Sequence, residues 1–180
     1  MIARWLNKGN TIRIAAALFA LLILMQLVPY GRDHANPPRT QEPKWDSPAT
    51  RTIFMRVCKD CHSNETVWPW YSNVAPLSWL VRYDVAEGRS ELNVSEWGRA
   101  KNKGDEAADE VREGDMPPWY YLPTHPEARL TKEEREEFIR GLVLTFGEKS
   151  EKGKVAAQVE PPQSAYTVSI IASTIMNLFK

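Results

Sequence analysis

The chain has 180 residues, with 23 basic and 23 acidic side chains and a formal net charge of zero. That length suits one domain with tails. The even charge argues against a nucleic-acid or broad anionic partner. Thirteen prolines and seven tryptophans are many for this size, and there is no internal repeat or low-complexity run.

Residues 1–31 are expected to form an N-terminal membrane anchor. Ile14–Val28, IAAALFALLILMQLV, is apolar apart from Gln26. Its length lies between a signal-peptide core and a spanning helix. Arg4, Lys8 and Arg13 precede it, which fits both. No small-x-small pair follows the run, so an uncleaved anchor is preferred to a removed signal peptide. In either case the basic flank puts the rest of the chain outside the cytoplasm.

Residues 32–46 read as a polar, proline-rich linker, and residues 47–147 as the folded domain. Ser47-Pro48 is a helix start, an N-cap followed by proline in the first turn. That helix carries Ile53, Phe54 and Val57 toward the cysteines. A second helix is expected over 78–87, stopped by Gly88. A third is expected over 95–113, weak at Lys103-Gly104 and stopped by Gly114. A fourth opens at the capping box Thr131-Lys132-Glu133-Glu134 and leads to Phe138, Ile139, Leu142 and Val143. Little of the chain alternates as strands do. The expected class is all-α, with long ordered loops over 67–77 and 116–130. Residues 148–180 read as a linker and an amphipathic tail, with Val168, Ile171, Ala172, Ile175, Met176 and Phe179 on one face.

The chemistry centres on Cys58–His62, CKDCH, which holds both cysteines of the chain. Cys-x-x-Cys alone fits a redox dithiol, half a zinc site or haem attachment. A structural zinc site needs four ligands, and only His34, His62 and His125 are available to join the thiols. A thioredoxin-type motif expects a βαβ context, which the chain lacks. The histidine directly after Cys61 completes the haem c attachment pattern. Two thiols three apart can each add to one porphyrin vinyl group, and His62 then faces the iron.

A low-spin iron takes a sixth ligand, and Met–His is a standard pair. Met116, in GDMPPWY, is the preferred candidate, because Pro117 and Pro118 stiffen the loop that would hold it. His125, in PTHPEARL, is the competitor. Haem is a flat apolar disc that aromatic side chains can shield. Trp68, Trp70, Tyr71, Trp79, Trp97, Trp119 and Tyr120 are candidates for that wall. Arg89 is a candidate partner for a haem propionate.

Three stretches, CKDCHSNETVWPWYSNVAPLSWL, VAEGRSELNVSEW and GDMPPWYYLPTHPEARLTKEE, resemble the haem-binding domain family of bacterial c-type cytochrome-like proteins. The resemblance covers roughly residues 53–144. It implies one covalent haem at Cys58 and Cys61 with His62 on the iron. Members often carry a histidine just before the Val-x-Glu-Gly-Arg stretch, where this chain has Tyr83 and Asp84, so that histidine cannot serve here.

The sequence therefore favours a membrane-anchored monohaem cytochrome that transfers single electrons to an unknown redox protein and is not an enzyme. Two alternatives keep an open sixth site: a peroxidase-like enzyme, and a ligand or redox sensor. The sensor reading is weakened because only about a dozen residues precede the apolar run.

Overall fold

A computed structural model describes residues 8–148, and the expected amphipathic tail lies outside them. Six helices follow one another: α1 Lys8–Met25, α2 Pro48–Val57, α3 Lys59–His62, α4 Leu77–Glu91, α5 Ala107–Glu113 and α6 Lys132–Phe146. Short 3₁₀ turns lie at Trp70–Asn73, Gly104–Glu106 and Pro126–Ala128. Among the described residues there is no strand, only an isolated bridge between Gln41 and Glu96. The fold is all-α.

Local chemistry sets several of these boundaries. Ser47 Oγ accepts from the Thr50 amide at 3.2 Å and opens α2. At α6 the Thr131 and Glu134 side chains each accept from the other's backbone amide, a complete capping box. Gly114, at φ 91°, ends α5 in the left-handed region where a side chain is strained. The Gly114, Asp115 and Met116 amides all donate to the Glu110 carbonyl, which curls the chain back at Met116. Phe54, Val57, Phe138 and Leu142 recur at helical spacing on α2 and α6 and are buried. With Leu92, Val94, Ala108 and Val111 they form the core.

Two expected helices differ. Gly88 does not stop α4, which continues to Glu91. The helix expected over 95–113 shrinks to α5, because asparagine and serine side chains capture the preceding backbone. Asn93 Oδ1 accepts from the Ser95 amide, Asn102 Oδ1 accepts from the Asn93 amide, and Asn93 Nδ2 donates to Asn64 Oδ1. Asn64, Asn93 and Ser95 are all buried, so this polar network replaces helical hydrogen bonds with satisfied ones.

The segment expected as a free linker also packs on the domain. The Thr40 amide donates to Ser95 O at 2.9 Å, and the Trp97 amide donates to Gln41 O at 3.0 Å. Trp45 tilts against Phe54 and Phe146, with ring centroids 5.1 and 5.6 Å away. This early segment adds apolar area to a small core that needs it.

Candidate haem site

A cavity of about 300 Å³ opens beside α3, near the lower end of the usual range for ligand pockets. Cys58, Cys61, His62 and Met116 all line it. Its apolar wall is built from Phe54, Val57, Leu92, Val111, Phe138 and Leu142. Thus α2 and α3 bring the pentad, α5 delivers Met116, and α4 and α6 close the sides.

His62 is oriented by backbone. Its Nδ1 lies 3.1 Å from the Gly88 carbonyl and 3.1 Å from the Leu92 carbonyl. Carbonyls only accept, so Nδ1 carries the proton and Nε2 keeps its lone pair. Burial pushes the imidazole pKa down and holds the ring neutral. A neutral imidazole with one nitrogen tied to a backbone carbonyl is the usual arrangement of a metal-ligating histidine. The His62 carbonyl accepts from the Val94 amide at 3.0 Å, which pins the residue from its other end.

Both cysteines are free thiols. Burial pushes the Cys58 thiol well above its ordinary range and Cys61 up to about 12. A redox dithiol works by a lowered pKa, so this environment is the opposite of one. Among the described residues no group of three or more His, Cys, Asp or Glu side chains is placed to hold a metal ion, which leaves zinc without its ligands.

The donor set suits a tetrapyrrole better: two neutral thiols, an imidazole with a free Nε2 and a thioether around one apolar space. The residues fit haem. When bound, haem supplies a one-electron iron couple, whose potential the axial ligands and the surrounding polarity tune.

The residues proposed from sequence divide. Cys58, Cys61, His62, Met116 and Tyr120 lie at the cavity, whereas Trp68, Trp70, Trp79, Trp97 and Trp119 are not among its lining residues. Trp70 is 78% exposed and Trp119 80% exposed. Trp68 stacks on His34 at 4.7 Å, and Trp97 stacks on Phe146 at 4.8 Å. The aromatic lining is Phe54, Phe138, Tyr120 and Tyr121. Phe54 and Phe138 were readable as helix-face residues, but nothing in their spacing distinguishes a core position from a cofactor wall. His125 also lies outside the lining: its ring stacks on Tyr121 at 3.7 Å, and its Nδ1 is within 3.1 Å of the Tyr121 carbonyl. Tyr121 in turn donates to Asp60 Oδ2 at 2.9 Å, fixing the loop against α3.

Arg89 points away from the cavity. Its Nε donates to Ser63 O at 2.9 Å, Nη1 to Ala35 O at 3.1 Å, and Nη2 to Asn36 Oδ1 at 2.7 Å and Thr66 Oγ1 at 2.9 Å. It staples the 35–36 segment to the chain after the pentad. Among the described residues that line the cavity, the one cation is Lys103, which pairs with Glu91. The rest of the charged rim is acidic: Asp84, Glu87, Glu106 and Glu110. Burial holds the Asp84 and Glu110 carboxyls above the usual range; at Glu110 the neighbouring acids add to it. Arg89→Ala is therefore expected to lower the unfolding free energy read from a urea titration by about 2–3 kcal/mol for the lost charged hydrogen bonds. The haem spectrum is expected to stay unchanged, which a propionate role would not allow.

A family model described as a haem-binding domain matches residues 20–143. The chain belongs to this haem-binding domain family. No curated protein and no solved structure matched the chain.

Proposed function

We propose that this family member is a membrane-anchored c-type cytochrome with one haem, carried covalently on Cys58 and Cys61, with His62 and Met116 as axial ligands. Its work is single-electron transfer to and from a protein partner. One observation carries the reading: the pentad and a methionine from a distant loop meet at one apolar cavity, where His62 offers only Nε2. The protein's own contribution would be to keep the thiols neutral and out of water, to fix the imidazole, and to offer Met116 as a soft ligand from a separate loop. Among the described residues, His125, the histidine a peroxidase-like reading would call on, is engaged on Tyr121 and lies outside the cavity lining.

The anchor is α1. It has 18 residues with a mean hydropathy of 1.5, and none of it is buried against the domain. At about 1.5 Å per residue it spans roughly 27 Å, close to the hydrocarbon thickness of a bilayer. Lys8 and Arg13 at its start support a reading with the domain on the extracytoplasmic side.

Covalent attachment is tested by denaturing electrophoresis with haem staining. Colour is expected to stay on the polypeptide, and intact mass to rise by one haem. The Cys58→Ala, Cys61→Ala double variant is expected to lose both. Complete extraction of haem by acid–acetone from the wild-type chain would refute attachment.

A further inference from the structure

One polar residue interrupts the apolar run, and the structure gives it a job. Gln26 follows α1 directly, and its amide is nearly saturated. Nε2 donates to Leu22 O and to Ala75 O, both at 2.9 Å, and Oε1 accepts from the Ala75 amide at 3.0 Å and from Arg32 Nη2 at 3.0 Å. Both backbone groups of Ala75 are thus held by one side chain. A few residues on, Ser78 Oγ donates to the Tyr30 carbonyl at 3.4 Å. The domain is therefore fastened to the end of α1 through Ala75 and Ser78, with no flexible spacer between them.

The segment so fastened is unusual for this chain. Residues 67–81, VWPWYSNVAPLSWLV, contain no charged side chain, although 26% of the whole chain is charged. Val67, Trp70, Val74, Leu77 and Leu80 are all exposed. Val74 and Leu77 flank the Ala75-Pro76 pair that Gln26 and the start of α4 hold, and Tyr30 is half exposed on the other side of the joint. An uncharged, tryptophan-bearing surface contiguous with an apolar spanning helix has the composition of a membrane–water interface.

We propose that the 67–81 segment lies on the bilayer interface and that the Gln26–Ala75 clamp fixes the domain there in one orientation. This rests on the anchor reading of α1. The occupant is the headgroup and upper acyl region of the lipid that α1 enters. The clamp supplies rigidity, and Trp70, Val74 and Leu77 supply the buried apolar area. Three of the tryptophans that sequence reasoning assigned to the cofactor wall, Trp68, Trp70 and Trp79, fall in this segment instead. The cavity is then held at a set height above the membrane, because α4 carries both the interfacial Leu77 and the cavity-lining Asp84 and Gly88.

The test is hydroxyl-radical footprinting of the full-length protein in phosphatidylcholine–phosphatidylglycerol vesicles, read by peptide mass spectrometry. Trp70 and Trp119 are matched probes, at 78% and 80% exposure. The expected result is a silent α1, with Trp70 and Leu77 oxidised several-fold less than Trp119. In Gln26→Ala, α1 stays silent while Trp70 oxidation rises toward that of Trp119. A silent α1 with equal oxidation of Trp70 and Trp119 in the wild type overturns the seat and leaves the anchor standing. Oxidation along α1 itself overturns the anchor and the seat together. Unchanged protection of Trp70 in Gln26→Ala overturns the role given to the clamp.

Discussion

Replacing Met116 with leucine is expected to convert the haem to a high-spin or water-ligated form while leaving the fold in place. Met116 is half-buried, lines the cavity and packs against the core. Leucine keeps most of that apolar bulk, and such a swap usually costs less than about 1.5 kcal/mol. The sulfur is what leucine lacks. Without it the sixth position is open, so the reduced protein is expected to bind carbon monoxide. Axial ligands spread haem potentials over roughly 0.8 V, so losing a thioether that favours the ferrous state is expected to lower the potential on the order of 0.1 V. Met116→Ala is expected to show the same spectrum with an added packing loss of about 1–3 kcal/mol. His125→Ala, whose ring is stacked on Tyr121 outside the cavity, is expected to leave spin state and potential alone. A low-spin spectrum in Met116→Leu, or loss of it in His125→Ala, would reverse the assignment.

The grouping of Cys58, Cys61 and His62 at one cavity was legible because it is local: two thiols and an imidazole within five residues stay close in any fold. That Met116 lines the same cavity agrees with the sequence expectation, in which a helix stop and two prolines around a methionine restrict where that side chain can go. The capped helices α2 and α6 were legible from Ser47-Pro48 and the Thr131–Glu134 box, because those signals act within one turn. What failed depends on long-range geometry. Tryptophan is large enough to serve a cofactor wall, a core or an interface, and its type does not choose among them. Arg89 satisfies a backbone staple whose partners, the Ala35 and Ser63 carbonyls, lie far off in sequence. The helix expected over 95–113 had acceptable propensity, but Asn93 and Asn102 offered the backbone a buried alternative.

Gly88 is the case where a local rule and a tertiary contact point in opposite directions. Glycine inside a helix costs about 1 kcal/mol relative to alanine, so propensity alone says that Gly88→Ala stabilises α4. The packing says otherwise. A Cβ at this position would lie 2.5 Å from the Cys61 carbonyl oxygen, 2.8 Å from Cys61 Cβ and 3.0 Å from its carbonyl carbon. Two of those three atoms are backbone of the attachment turn, and the third is a side-chain stem bound directly to it, so none can swing aside. Either α4 or α3 must move, and overpacking of this kind costs about 1–3 kcal/mol. The loss does not end with the clash. The Gly88 and Leu92 carbonyls both accept from His62 Nδ1, so displacing α4 stretches the contacts that orient the imidazole. Gly88→Ala is therefore expected to lower the melting temperature by about 2–8 °C, measured by circular dichroism. It is also expected to shift the haem absorption bands, because His62 is no longer held in the same plane. A melting temperature equal to or above that of the wild type would show that helix propensity outweighs the contact, and that α4 does not press on Cys61 as closely as these distances imply.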